Sequence, residues 1–148
     1  MCDYCDCRSH PAIAALSADH ERLLHLLGEL RRAATEGERA AARPILEELH
    51  DQVGGHAARE ESGVFTQLRA AGVESAYLDR FEQEHGQVHA LLGDHDPDDW
   101  EGSALELVDL LSGHIAREES DLFPAAHQLL SPSQWDAVDR SEPTGAPA

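Results

Sequence analysis

His56-Ala57-Ala58-Arg59-Glu60-Glu61-Ser62-Gly63-Val64-Phe65 recurs as His114-Ile115-Ala116-Arg117-Glu118-Glu119-Ser120-Asp121-Leu122-Phe123, with His, Ala, Arg, Glu, Glu, Ser and Phe kept at matching positions. A fainter echo precedes each copy: His20 stands as far before Leu26-Leu27-Gly28 as His85 stands before Leu91-Leu92-Gly93. The chain therefore reads as two related units, each a His-bearing segment followed by a His-x3-Glu segment. His20 pairs with His85, His56 with His114 and Glu60 with Glu118, whereas the counterpart of His89 is Leu24.

Working outward from the repeat, apolar residues recur at helical spacing through Ile13, Leu16, Leu23, Leu27 and Leu30, then Leu46, Leu49, Val53 and Val64. They resume at Leu78, Phe81, Val88 and Leu92, and again at Leu107, Leu110, Leu111, Leu122 and Leu129. Strand-favouring residues are sparse, so the pattern predicts an all-α chain of four long helices. Breakers separate them at Thr35 to Glu38, Ala71 to Val73 and Asp94 to Asp99. Such short links make neighbours antiparallel, which predicts an up-down-up-down four-helix bundle. Ser131-Pro132-Ser133 introduces a short C-terminal helix, Gln134 to Arg140, followed by a disordered Pro/Gly/Ala tail. Three regions are expected: a Cys-containing arm over 1–9, the bundle over 10–130, and the short helix and flexible tail over 131–148.

The composition bounds the partners. Eleven basic residues, all Arg, stand against 29 Asp and Glu for a net charge of −18. With no basic stripe to neutralise phosphates, nucleic acid and anionic membranes are disfavoured. No apolar run is long enough to span a bilayer, and the N-terminus lacks a charged-then-apolar leader, so the expected setting is the cytoplasm. Three cysteines, Cys2, Cys5 and Cys7, crowd the first seven residues and cannot cross-link distant parts of the fold. Ten histidines are the count that composition leaves unexplained.

Spacing explains them. Residues i and i+4 of a helix lie about 6 Å apart along the axis and about 40° apart around it, so His56/Glu60, His85/His89 and His114/Glu118 each share one stripe. The midpoints between ligands on consecutive helices fall near Gly37, at Gly72/Val73 and at Glu101/Gly102, beside the three turns, so all four stripes sit at one level. Burying five imidazoles and two carboxylates in one slab is costly without compensation, and metal ions supply it. Two cations fit, with Glu60 and Glu118 as bridging carboxylates. His85, His89 and His114 would serve one metal and His20 and His56 the other, leaving the second an open position. Mixed imidazole and carboxylate donors suit Fe, Mn or Zn.

His20, His56-x3-Glu60, His85-x3-His89 and His114-x3-Glu118 together resemble the hemerythrin-like (HHE cation-binding) family of non-haem diiron bundles, over roughly residues 10–130. The resemblance implies two irons joined by Glu60, Glu118 and an oxo or hydroxo bridge, with O2, hydrogen peroxide or NO binding at the iron held by His20 and His56. Oxygen-carrying members have Asp five residues after the last His. Here Glu118 stands at four and Glu119 at five, nearer the bacterial HxxxE branch. The function expected from the resemblance is binding or activation of a small oxidant in oxidative or nitrosative stress defence; as an enzyme it would be a peroxidase- or catalase-like oxidoreductase. The alternative is a non-catalytic oxygen, iron or redox sensor or an oxygen store, in a monomer or homodimer.

The remaining polar residues read more plainly. Glu61, Glu119, Arg59 and Arg117 are taken as solvated or interhelical charges in preference to supports for the ligands. His25, His50, His95 and His127 lack matching places in the repeat. Tyr77 and Phe81 are read as core packing, with a phenol beside the site as the alternative for Tyr77. Cys2-x2-Cys5-x-Cys7 with His10 either holds Zn2+ or trades electrons with the metal pair, or is adventitious.

Overall fold

The computed structural model describes residues 6–93 and 98–141, and among them there is no strand. Cys2, Cys5, His95 and the tail beyond Ser141 lie outside the described residues. A short 3-10 turn, Cys7–Ser9, leads into α1 (Pro11–Glu36). Proline at the first position suits a helix start, where its missing N–H loses no bond. Gly37 stops α1 in the left-handed region at φ 70°, and the N–H groups of Gly37 and Glu38 return to the carbonyls of Ala34 and Ala33.

α2 (Arg39–Glu60) runs through a π turn, Glu61–Phe65, into α3 (Thr66–Ala70). After α4 (Ser75–Gly93), α5 (Trp100–Arg117) repeats the arrangement with a second π turn, Glu118–Leu122, and α6 (Phe123–Leu129). The expected second and fourth long helices are thus each interrupted once, directly after Glu60 in one and at Glu118 in the other. A regular helix turns the residue five places on by about 140°. A π turn, which closes between i and i+5, brings it back near the starting face, so Phe65 and Phe123 re-enter the core beneath the glutamates.

α1 packs on α2 and α5, and α4 packs on the same two helices, closing a ring of four. α7 (Pro132–Ser141) lies across the first π turn with Trp135 and Val138 buried. α7 sits close against this turn at Gly63, where a Cβ would stand 3.4 Å from Val138 Cγ1, at van der Waals contact, and 2.9 Å from Ser141 Oγ, the end of a side chain that can rotate away.

The core divides in two. One apolar cluster gathers Leu27, Leu30, Leu49, Val53, Val88 and Leu107 with their neighbours; the other gathers Ile13, Leu16, Phe65, Phe81, Leu122 and Phe123, with Cys7 and α7. α1 passes from the second cluster into the first, α2 from the first toward the second, α4 back again, and α5 and its continuation return. The residues between the clusters are His20, His56, Glu60, His85, His114 and Glu118, all buried. No helix among the described residues is long and apolar enough to cross a membrane.

Candidate metal centre

Between the two apolar clusters, six of the seven expected ligand side chains meet. His20, His56, Glu60 and Glu118 form one group, and Glu60, His85, His114 and Glu118 a second, each with ligand atoms within 4.8 Å of one another. Glu60 belongs to both by geometry: Oε1 lies 2.9 Å from His56 Nε2 and Oε2 lies 3.0 Å from His85 Nε2. Glu118 Oε1 lies 3.0 Å from His114 Nε2 and 3.3 Å from His20 Nε2. Four imidazole Nε2 atoms thus face two shared carboxylates, two from each half of the chain.

His89 is not among them. It lies on the exposed face of α4, its ring centroid 5.4 Å from that of His50. The i to i+4 step alone does not decide this, since His56/Glu60 and His114/Glu118 both enter the centre; α4 is turned so that His85 lies at the edge of its inward stripe and His89 falls outside it. Its counterpart Leu24 is exposed in the same way, at 42%. The correction removes the inequality between three and two histidines, and with it the argument that placed an open position at the His20/His56 side.

The Nδ1 side of every imidazole is also occupied. His56 Nδ1 lies 3.0 Å from Asp19 Oδ2, His114 Nδ1 2.7 Å from Glu84 Oε2, His20 Nδ1 2.9 Å from Glu119 Oε1 and His85 Nδ1 2.9 Å from Glu61 Oε1. Such a carboxylate fixes the ring and leaves Nε2 as the free lone pair, the arrangement that metal-binding imidazoles use. Arginines brace three of the four. Arg59 and Arg22 bind Asp19; Arg117 grips Glu84 with both Nη atoms at 2.6 and 2.7 Å; Arg8 Nη2 stands 3.8 Å from Glu119. The solvated reading of Glu61, Glu119, Arg59 and Arg117 is therefore corrected. Asp19 and Glu84 were missed altogether, although each directly precedes a ligand histidine at matching repeat positions. Two phenylalanines complete the walls: Phe123 stacks on His20 at 5.5 Å and 6°, and Phe65 on His85 at 5.9 Å and 3°.

The electrostatics are those of a cation site. Burial alone would push the His20 imidazole down, but Glu118, Glu119 and Glu60 outweigh it and raise the group to about 11. Burial opposes protonation of His56 and His85 as well, yet Glu60 with Asp19, and Glu60 with Glu61, lift each to about 9. Burial would raise the Glu60 carboxyl, while His56, His20 and His85 hold it well below the usual range. The pocket demands positive charge.

Protons meet that demand poorly. Both oxygens of Glu60, both of Glu118, and Nε2 of His85 and His114 are buried with no hydrogen-bond partner, although they lie close together. Buried polar atoms are almost always paired, and an unpaired buried carboxylate costs several kcal/mol. Imidazole nitrogen and carboxylate oxygen bind a first-row divalent ion at about 2.0–2.2 Å, which places atoms on opposite sides of one ion about 4 Å apart. The two groups have that size and donor set, so the residues fit a pair of metal ions.

No curated protein and no solved structure matches the chain. A family model does, the hemerythrin HHE cation-binding domain, over residues 12–126. That stretch contains all six converging ligands and the carboxylates behind them, and the chain belongs to the hemerythrin HHE cation-binding domain family.

Proposed function

We propose that this chain holds two iron ions, one between His20 and His56 and one between His85 and His114, with Glu60 and Glu118 shared, and binds or activates a small oxidant there. O2, hydrogen peroxide and NO are the class of ligand, and defence against oxidative or nitrosative stress is the role. The observation that carries this reading is Glu60, whose two oxygens face imidazoles of different halves at 2.9 and 3.0 Å. The alternation of the helices between the two apolar clusters supports an antiparallel up-down-up-down order, and residues 10–130 then form the working unit.

The ligand class follows from space. A cavity of about 10 Å³ touches His20, His56, His85, His114 and Glu118, and its other walls are aliphatic, including Leu23, Val53, Val88 and Ile115. A space of that size admits about one water. It suits a diatomic or peroxide and excludes an organic substrate. When bound, a redox-active metal pair supplies Lewis acidity and electrons for such a ligand. The protein's own part is to aim four Nε2 atoms inward through the Nδ1 carboxylates, to hold Glu60 ionised, and to wall the cavity with aliphatic side chains.

The test begins with metal-free protein loaded with Fe(II), and iron counted per chain. Two irons are expected in the wild type and clearly fewer in His56→Ala. Full iron retention by that variant overturns the site. Hydrogen peroxide is then added while oxygen release and the optical spectrum are followed: turnover beyond stoichiometric oxidation supports an enzyme, and a reversible spectral change under O2 supports a store or sensor.

A further inference from the structure

Tyr77, near the start of α4, lies outside the ligand set yet is wired to it. Its hydroxyl donates to Asp121 Oδ2 at 2.5 Å, and Asp121 lies in the second π turn, three residues beyond Glu118. Its ring meets Phe81 edge-on with centroids 5.3 Å apart, and Phe81 meets His114 edge-on at 5.5 Å. A single aromatic ring therefore separates the phenol from a ligand imidazole. The repeat places Ala12 and Gly63 at the positions matching Tyr77 and Asp121, so half of the bundle folds without this pair.

Burial and the neighbouring Asp121 carboxylate push the phenol above its ordinary value near 10, so Tyr77 does not ionise by itself at neutral pH. Losing an electron changes that. A phenol radical cation is a strong acid, and an ionised carboxylate within hydrogen-bond distance is a ready base for its proton.

We propose that Tyr77 is a one-electron redox site serving the metal pair, with Asp121 as its proton acceptor; this rests on the diiron reading above. Reducing hydrogen peroxide to two waters takes two electrons and two protons. When the pair can give only one electron, as from a mixed-valent state, Tyr77 gives the other through Phe81 and His114. The O–H bond of Tyr77 breaks, the proton passes to Asp121 Oδ2, and a neutral phenoxyl radical remains beside a carboxylic acid. The protons for water come from solvent. The buried centre is thereby spared an unfilled oxidising equivalent, which ends on a half-buried ring where an external reductant reaches it.

The chain has one other tyrosine, Tyr4, which makes the assignment testable. Iron is counted first, so that failure to load iron counts against the metal reading and not against Tyr77. Mixed-valent protein is then mixed with one equivalent of hydrogen peroxide, frozen, and read by electron paramagnetic resonance. A neutral tyrosyl radical is expected, retained in Tyr4→Phe and lost in Tyr77→Phe at equal iron content. A radical that survives in Tyr77→Phe, that resides on tryptophan, or that is absent from the wild type overturns the proposal. A metal-free measurement tests the proton acceptor: flash oxidation by a ruthenium photo-oxidant, in the Tyr4→Phe background, should oxidise Tyr77 severalfold more slowly in Asp121→Asn. Equal rates overturn the role of Asp121.

Discussion

α1 and α2 with the first π turn form one half of the bundle, and α4 and α5 with the second π turn form the other. At the metal pocket the two halves are nearly the same object. Asp19, His56 and Arg59 in one match Glu84, His114 and Arg117 in the other, and the two stacked phenylalanines correspond as well. One step away the halves part. α7 packs beside Gly63 where its counterpart Asp121 binds Tyr77, and Ala12 is buried in the apolar cluster that α7 joins where its counterpart Tyr77 stands half-exposed. Glu119 has Arg8 beside it, while the Glu61 side chain is 40% exposed. The converging side chains and the carboxylates behind them are duplicated, and the layer outside them is not. The two candidate metal groups are thus alike in side chains and unlike in surroundings.

The strongest way to break this comparison is at the bridges. On the proposed diiron reading, Glu60→Ala and Glu118→Ala should each lose both irons, because each carboxylate belongs to both converging groups, and the two variants should match. A variant that kept one iron would make the bridge a terminal ligand. His89→Ala should keep full iron content, and iron loss there would restore the unequal arrangement.

Acidity gives the next largest effect, in metal-free protein. His20, His56 and His85 have values raised on folding, to about 11, 9 and 9, from an ordinary 6.5. Groups raised in this way stabilise the fold fully below about 6.5 and lose that contribution as pH climbs through the folded values. Glu60 is held low, so its contribution is present above about 4.5 and lost below it. The melting temperature of chelated protein should therefore peak between these values and fall by about 5 °C or more from pH 6 to 9. Iron bound as proposed would take the Nε2 positions that protons otherwise hold, so the loaded protein should show a much smaller fall. A melting temperature that rises over this window without metal would show that the imidazoles fold neutral.

The smallest effect tests the divergence. Gly63→Ala should change stability by less than about 1 kcal/mol, because Ser141 Oγ can rotate away and Ala is the better helix former, with iron content unchanged. Chemical denaturation gives the stability. A loss of several kcal/mol would mean that Ser141 cannot turn away and that the seat of α7 depends on the missing Cβ of Gly63.

Much of this was legible in the sequence because one periodicity and one duplication carry it. Helix ends at Gly37 and Gly72, the common level of the ligands and six of their identities follow from spacing. His89 did not, since i+4 spacing puts a residue on the stripe without saying which edge faces inward. Its match with Leu24, an apolar residue left exposed, was the available signal. Glu61 and Glu119 were misread for a related reason. About 100° of rotation turns them away from the bridging glutamates, and only the placement of the neighbouring helix shows that the turn ends on another imidazole. The π turns left no mark in composition, because a shifted backbone bond selects no particular side chain.

For two of the four imidazoles, His20 and His85, the support crosses between the halves. Glu119 and Phe123 serve His20, while Glu61 and Phe65 serve His85. Residue i of one half meets j of the other, and j meets i, which is the form of an isologous contact between two identical subunits. The bundle thus carries within one chain an arrangement like the interface of a two-fold dimer, its pseudo-axis passing between the two groups of converging side chains. A covalent link has freed the two copies from being identical, and Tyr77, Asp121, Gly63 and Arg8 occupy that freedom.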